Sequence, residues 1–160
     1  MPTDASGLLK PVSGVLTRHG VPFALAGAAA LAVRGVSRST LDIDLLVVDP
    51  RVLTPAFWAD LGTSVRTDIR TGDADDPLAG VVRLSAGTSR DIDVVVGRGA
   101  WQAAVIARAD RLTYADQSLP VISAADLVLL KLYAGGTQDR WDDLPPGARR
   151  LWNTWRSREA

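Results

Sequence analysis

The chain has no cysteine and a single histidine, His19, among its 160 residues. The missing thiols exclude disulfide bonds, thiolate metal sites and a cysteine nucleophile, and one histidine cannot build a histidine-ligated zinc centre. Glutamate and lysine are also scarce, with a single glutamate, Glu159, and two lysines, whereas aspartate occurs seventeen times. Aspartate is therefore the metal ligand that this sequence offers, and its oxygen atoms suit magnesium or manganese.

Excess charge and long apolar runs are missing as well. Eighteen basic residues balance eighteen acidic ones, which does not favour a protein that binds nucleic acid or membranes through its overall charge. No segment reaches the roughly 18 apolar residues of a membrane span, and the first residues lack the pattern of a signal peptide. The length and the 47% hydrophobic content fit one core, so we expect a single cytoplasmic domain over residues 1–160, with no membrane partner.

The pattern of apolar residues predicts a mixture of helices and strands. Helices are expected over residues 6–19, 28–33, 55–61, 100–109, 127–132 and 148–158, and strands over residues 23–26, 41–48, 65–69, 81–84 and 90–96. A capping pattern from Ser123 to Asp126 precedes the helix at residue 127. The fold expected from these elements is α/β (α+β), with a mixed twisted sheet, helices packed on one face and a short C-terminal helical section.

Two of the predicted strands carry aspartates at alternating positions. Because side chains alternate across a strand, Asp42 and Asp44 lie on one face of the first strand, and Asp91 and Asp93 repeat this pattern on the second. If the two strands are neighbours, one face holds three or four carboxylates, whose mutual repulsion requires neutralising cations. Two divalent ions would provide this charge, and they could also activate an attacking hydroxyl and stabilise a departing pyrophosphate.

Each of these features also has a purely structural interpretation. One isolated Asp-x-Asp pair is usually a solvated surface, as we expect for Asp73 and Asp75 in a polar loop, but both strand pairs lie in apolar runs where unpaired charge is costly. Gly27 stands between a short strand and a helix, where backbone N–H groups and the helix dipole suit a phosphate. Alternatively, Gly27 serves only to allow a positive φ or tight packing.

The spacing of Gly27-Ala28 and the later Asp42-Ile43-Asp44 resembles the signature of the nucleotidyltransferase (polymerase beta-like) superfamily. Residues 22–47 and 125–144 look more narrowly like the AbiEii-type group associated with toxin-antitoxin systems, and the resemblance covers a core of about residues 21–144. It implies a metal-dependent transfer of a nucleoside monophosphate from an NTP to a hydroxyl acceptor on RNA, tRNA or protein, with Mg²⁺ or Mn²⁺. A cognate toxin or antitoxin protein is the partner that it implies.

The resemblance also implies roles for individual residues. Asp42, Asp44 and Asp93 would bind the metal ions, Asp91 would be an auxiliary ligand, and Lys131 would complete the catalytic set by contacting phosphates. Asp139 and Asp142 would lie near the active site and orient the lysine or act as a base. The nucleotide-binding residues implied in this way are Gly27, Ala28, Arg38, Thr40, Lys131 and Asp139.

One departure from the family pattern keeps other functions open. Ala28 stands where the family usually has a second glycine or a serine, so only backbone donors remain for a phosphate at this position. A second hypothesis is therefore a catalytically weak or inactive protein that acts by binding a partner. A third is an aminoglycoside-type enzyme that uses the same site to modify a small molecule. An acidic cleft would favour a cationic drug as the acceptor, and a basic surface would favour RNA.

Overall fold

The computed structural model describes residues 7–36, 42–76 and 78–134. These residues contain the helices α1 (Leu9–Arg18), α2 (Gly27–Val33), α3 (Ala100–Ala107) and α4 (Ala124–Ala134), and two 3-10 segments, Pro50–Leu53 and Pro55–Leu61. The strands are β1 (Ala24–Ala26), β2 (Ile43–Val47), β3 (Arg66–Thr71), β4 (Leu78–Ser85), β5 (Ile92–Gly97), β6 (Asp110–Tyr114) and β7 (Gln117–Val121). No helix in this part of the chain is long and apolar enough to cross a membrane.

The seven strands form one mixed sheet in the order β3-β4-β5-β2-β1-β7-β6. The pairs β2–β5 and β1–β7 are parallel, and the other neighbouring pairs are antiparallel. Helices α2 and α3 both pack against β2 near the centre of the sheet. The mixed sheet and the α+β class expected from the sequence are confirmed.

The apolar spacing of α1 shows how the sequence builds the core. Leu9, Val12 and Leu16 recur at helical intervals and are fully buried. Pro11 lies in the first turn of the helix, where its missing N–H group would have had no partner within the helix. Burying an aliphatic side chain of this size stabilises the fold by about 1.5–3 kcal/mol. The largest fully buried aliphatic side chains of the sheet and its connections are Leu25, Ile43, Leu45, Leu84, Ile92 and Ile122.

Two segments differ from the predicted elements. The expected helix at residues 55–61 is a 3-10 segment that ends at Gly62, whose φ is 79°. The β6–β7 hairpin was not predicted. Its two-residue turn, Ala115-Asp116, has positive φ at both residues without the asparagine or glycine that usually marks such a turn. The helical section expected at residues 148–158 lies outside the described residues.

Strand β3 forms one edge of the sheet and carries charge on its outward side. Arg66, Asp68 and Arg70 are exposed, whereas the alternate residues Thr67 and Ile69 are half-buried. Ile69 packs against the core, so the alternation separates an apolar inner side from a charged outer side.

An ion pair joins the end of α3 to the start of α4. Arg108 Nε and Nη2 donate to the two carboxylate oxygens of Asp126 at 2.8 and 2.6 Å, and Ser123 Oγ donates to the same carboxylate at 2.9 Å. The Asp126 side chain is only 5% exposed. Burial alone would raise its pKa, but the hydrogen bonds from Arg108 and Ser123 outweigh burial, so the pKa of Asp126 lies below its usual value.

We expect Arg108→Met to lower the free energy of unfolding by about 2 kcal/mol at pH 7, because it leaves the buried Asp126 carboxylate without its main partner. Arg66→Met, on the exposed edge strand, is the matched control and should change stability by less than about 0.5 kcal/mol.

The same ion pair makes stability depend on pH. Because folding lowers the pKa of Asp126, the stabilisation by the Arg108–Asp126 pair is complete above about pH 4 and is lost as the pH falls through the lowered pKa. Urea denaturation of the three proteins between pH 3 and pH 7 measures both effects; equal losses in the two variants would contradict the assignment.

Candidate functional site

The aspartate-bearing strands are direct neighbours. In the parallel register of β2 and β5, Asp44 stands opposite Asp93 and Ile43 stands opposite Ile92. Paired residues on adjacent strands point to the same face, so the two carboxylates lie side by side while the isoleucines enter the core. Asp42 lies just before β2 on the same face. The alternation of the sequence thus correctly anticipated this cluster.

Gly27 closes one side of the cluster. Strand β1 pairs antiparallel to β2 and places Ala26 opposite Asp44, so the chain turns into α2 directly beside that carboxylate. Gly27 has a φ of 58°, and a Cβ atom at this position would lie 3.0 Å from Asp44 Cγ and overlap Asp44 Oδ2. A glycine is therefore required both by the backbone conformation and by the close approach of Asp44.

Arg83 on β4 is a member of this site that sequence reasoning missed. The β4–β5 register places it opposite Asp93, and its Nε and Nη2 donate to Asp93 Oδ1 and Oδ2 at 2.9 and 2.8 Å. The same Nη2 donates to Asp42 Oδ2 at 3.1 Å, and Nη1 lies 3.8 Å from Asp91 Oδ2. The signal was present in the sequence, because pairing the two predicted strands as a hairpin about Thr88 sets Arg83 against Asp93.

The electrostatic balance within the cluster is uneven. Burial, followed by repulsion from Asp93 and Asp42, raises the pKa of Asp44 from 3.8 to about 6, and attraction to Arg83 only partly opposes this rise. The hydrogen bond to Asp93 in turn raises the pKa of the Arg83 guanidinium. Ionisation of Asp44 is therefore unfavourable at its position, while Arg83 contacts the neighbouring carboxylates of Asp42 and Asp93.

The other residues singled out in the sequence are placed less directly. Ala28 lies in the first turn of α2 next to Gly27, and the preceding Ala26 provides no side-chain cap for the helix. Lys131 is half-buried on α4, and α4 packs against α2, the helix that begins at Gly27. Arg38, Thr40, Asp139 and Asp142 lie outside the described residues.

The carboxylates of this cluster have the chemistry to bind a hard divalent cation, but their side chains are not arranged in metal-binding geometry. Within residues 7–36, 42–76 and 78–134, no group of three or more His, Cys, Asp or Glu side chains is arranged to hold an ion. However, Asp42, Asp44 and Asp93 supply only oxygen atoms, which Mg²⁺ and Mn²⁺ prefer. Arg83 already places positive charge between Asp42 and Asp93, so a cation is compatible with this location.

Comparison with solved structures identifies the fold. No family model matches the chain, and no curated protein matches it. The antibiotic-resistance factor ANT(2'')-Ia is similar over 99% of this chain and 95% of its own, with 19% identity and a TM-score of 0.61. TM1012 from Thermotoga maritima, a nucleotidyltransferase candidate, is similar over 94% of this chain and 91% of its own, with 14% identity and a TM-score of 0.61. The lincosamide antibiotic adenylyltransferase LnuA, solved with lincomycin bound, is similar over 93% of this chain and 94% of its own, with 13% identity and a TM-score of 0.52.

These similarities show that the chain has the nucleotidyltransferase fold. They agree with the fold that the resemblance at Gly27, Asp42 and Asp44 implied. They do not extend to the narrower AbiEii-type group, which stays a prediction.

We expect Gly27→Ala to destabilise the protein by at least about 1 kcal/mol more than Gly20→Ala. Gly20 is a matched control because it also has a positive φ, 68°, but a Cβ atom there would meet no atom within 4 Å. Gly20→Ala should therefore show only the backbone strain of about 1 kcal/mol, whereas Gly27→Ala must also push Asp44 aside. Chemical denaturation of both variants measures the difference, and equal losses would show that Asp44 yields freely.

Proposed function

We propose that the protein is a metal-dependent nucleotidyltransferase, which transfers a nucleoside monophosphate from an NTP to a hydroxyl acceptor. The observation that carries this proposal is the pairing of Asp44 with Asp93 on adjacent strands, beside the Gly27 turn. Like charges in such a half-buried position are unfavourable unless positive charge compensates them, and Arg83 does so only in part, which favours a charged ligand. A bound cation would be such a ligand, and the nucleotidyltransferase fold gives it a chemical purpose.

In this proposal Asp42, Asp44 and Asp93 hold Mg²⁺ or Mn²⁺, and Asp91 is an auxiliary ligand. When bound, the ions supply positive charge that favours ionisation of the acceptor hydroxyl and stabilises the departing pyrophosphate. The rigid register of β2 and β5 fixes the carboxylates relative to each other before any ligand arrives.

The phosphates of the NTP would bind at the start of α2. Gly27 and Ala28 offer backbone N–H groups without a competing cap from Ala26, and Lys131 would add charge from α4. Arg38, Thr40 and Asp139 complete the proposed nucleotide site from parts of the chain that the structure does not describe. The acceptor oxygen would form a bond to the α-phosphorus as the bond to the pyrophosphate oxygen breaks.

The proposed unit is a single domain over residues 1–160. Its support is that the described segments share one sheet and one hydrophobic core cluster. The alternative function, binding a toxin or antitoxin partner with little or no catalysis, rests on Ala28, which offers no hydroxyl to a phosphate.

A small hydroxylated molecule is the second candidate acceptor, beside RNA, tRNA or protein. ANT(2'')-Ia, which has also been solved with adenylyl-2''-tobramycin, and LnuA both match this chain over nearly their whole lengths. The chain is thus similar in extent to two proteins whose acceptors are antibiotics. Similarity of fold over 95% and 94% of these two chains favours the small-molecule acceptor.

The first test is isothermal titration calorimetry with ATP, GTP, CTP and UTP, with and without magnesium. We expect at least one NTP to bind in a magnesium-dependent manner, and we expect an Asp42→Asn/Asp44→Asn double variant to lose at least about tenfold in affinity because the ligands of the cation are gone. An Asp73→Asn/Asp75→Asn double variant is the matched control. It has the same spacing on an exposed turn, where Asp73 Oδ1 accepts from the Asp75 N–H, and it should bind like the wild type. If no NTP binds, the enzyme proposal is wrong and partner binding is favoured.

The acceptor is tested by mass spectrometry after incubation with magnesium and the NTP that binds. Tobramycin, lincomycin and bulk tRNA are offered in separate reactions, and we expect one antibiotic to gain the mass of one nucleoside monophosphate. Labelling of the tRNA alone would instead select the RNA acceptor. The Asp42→Asn/Asp44→Asn variant should give no product in any reaction.

A further inference from the structure

One guanidinium contacts three of the four carboxylates on this face. Arg83 takes both oxygens of Asp93 in a forked pair, and its Nη2 at the same time bridges to Asp42 Oδ2 at 3.1 Å. Asp91 lies farther away, 3.8 Å from Nη1. The remaining carboxylate, Asp44, receives no hydrogen bond from Arg83. The positive charge of Arg83 thus occupies the space between two of the proposed metal ligands.

This contact and a bound divalent ion would compete for the same carboxylates. The forked pair uses both oxygens of Asp93, and Nη2 also donates to Asp42 Oδ2. Magnesium binds oxygen at about 2.1 Å, which is shorter than either contact of Nη2, so the two carboxylates would have to approach an ion more closely than they approach Arg83. Two cations in this small space would also repel each other.

The exposure of the side chains makes exchange feasible. Arg83 is 45% exposed, so its guanidinium can rotate into water, whereas Asp93 is only 16% exposed and stays in the site. The backbone would not need to change, because Arg83 is held by the β4–β5 register and only its flexible side chain has to rotate. On exchange, the Arg83 side chain would therefore move and the aspartates would stay in place.

We propose that Arg83 is an exchangeable counter-ion, which neutralises Asp42 and Asp93 in the metal-free protein and leaves them when a divalent cation binds. The inference rests on the proposed metal site and adds a property to it. Arg83 lowers the affinity for the metal, and it neutralises part of the carboxylate charge until the metal arrives. It is a positioning residue, since it acts through the aspartates and not on the substrate.

The test measures binding of Mn²⁺ alone, without nucleotide, from the electron paramagnetic resonance signal of the free ion at constant ionic strength. Arg83→Met removes the competing charge, and we expect it to bind Mn²⁺ about 5- to 10-fold more tightly than the wild type. Arg83→Lys keeps a charge but cannot hold both oxygens of Asp93, so it should bind about 2- to 3-fold more tightly. Arg66→Met, on the edge strand, should match the wild type.

Thermal unfolding gives an independent readout. In a chelator, Arg83→Met should melt below the wild type, because the carboxylates then repel each other without compensation. The rise in melting temperature on adding Mn²⁺ should be larger for Arg83→Met than for the wild type. A residue with only a structural role would lower stability without raising the affinity for the metal.

The outcomes separate the two proposals. If the wild type binds Mn²⁺ and the Arg83 variants bind it equally or more weakly, Arg83 stays in place beside the metal and the counter-ion inference is wrong, while the metal site stands. If neither the wild type nor any variant binds Mn²⁺, the proposed metal site is rejected and the inference falls with it. If Arg83→Met does not fold, Arg83→Lys decides: weaker binding than the wild type overturns the inference, and tighter binding supports it.

Discussion

The repulsion between Asp44 and Asp93 is the constraint to which the rest of the site responds. Their proximity is not a choice of side-chain rotamers, because the parallel pairing of β2 with β5 sets the two residues opposite each other. The strands themselves are held by the buried side chains on the other face, so the protein cannot relieve the repulsion without giving up core packing. Only added positive charge can relieve it, and Arg83 supplies part of that charge.

The surroundings of the cluster are arranged to keep it rigid. Helix α2 is held at both ends: Gly27 packs against Asp44 at the start, and Arg34 at the end donates to the backbone carbonyls of Ile122 and Val121 at 2.9 and 3.2 Å. Helix α4 is anchored at its first turn by the pair between Arg108 and Asp126. The backbone of a site held in this way needs little reorganisation when a ligand binds, which is the property that favours electrostatic catalysis.

The local parts of this structure could be predicted from the sequence, and the long-range parts could not. Alternation alone put Asp42 and Asp44 on one face, and apolar spacing located α1 and the aspartate strands. The role of Arg83 depends on the hairpin pairing of β4 with β5 and on its register, which have to be assumed before the sequence sets Arg83 against Asp93. The β6–β7 hairpin was missed for a different reason, since Ala115 and Asp116 adopt positive φ without the usual turn residues.

The charged outer side of β3 bears on how the protein behaves at high concentration. A sheet that ends in an open edge offers unpaired backbone N–H and C=O groups, onto which a second chain can add a strand and begin to aggregate. The exposed charged residues of this edge strand are Arg66, Asp68 and Arg70. An incoming strand would have to place an opposite charge next to each of these side chains, or else desolvate the side chains without compensation. Exposed charge of this kind on an edge strand disfavours the addition of a further strand and so opposes aggregation.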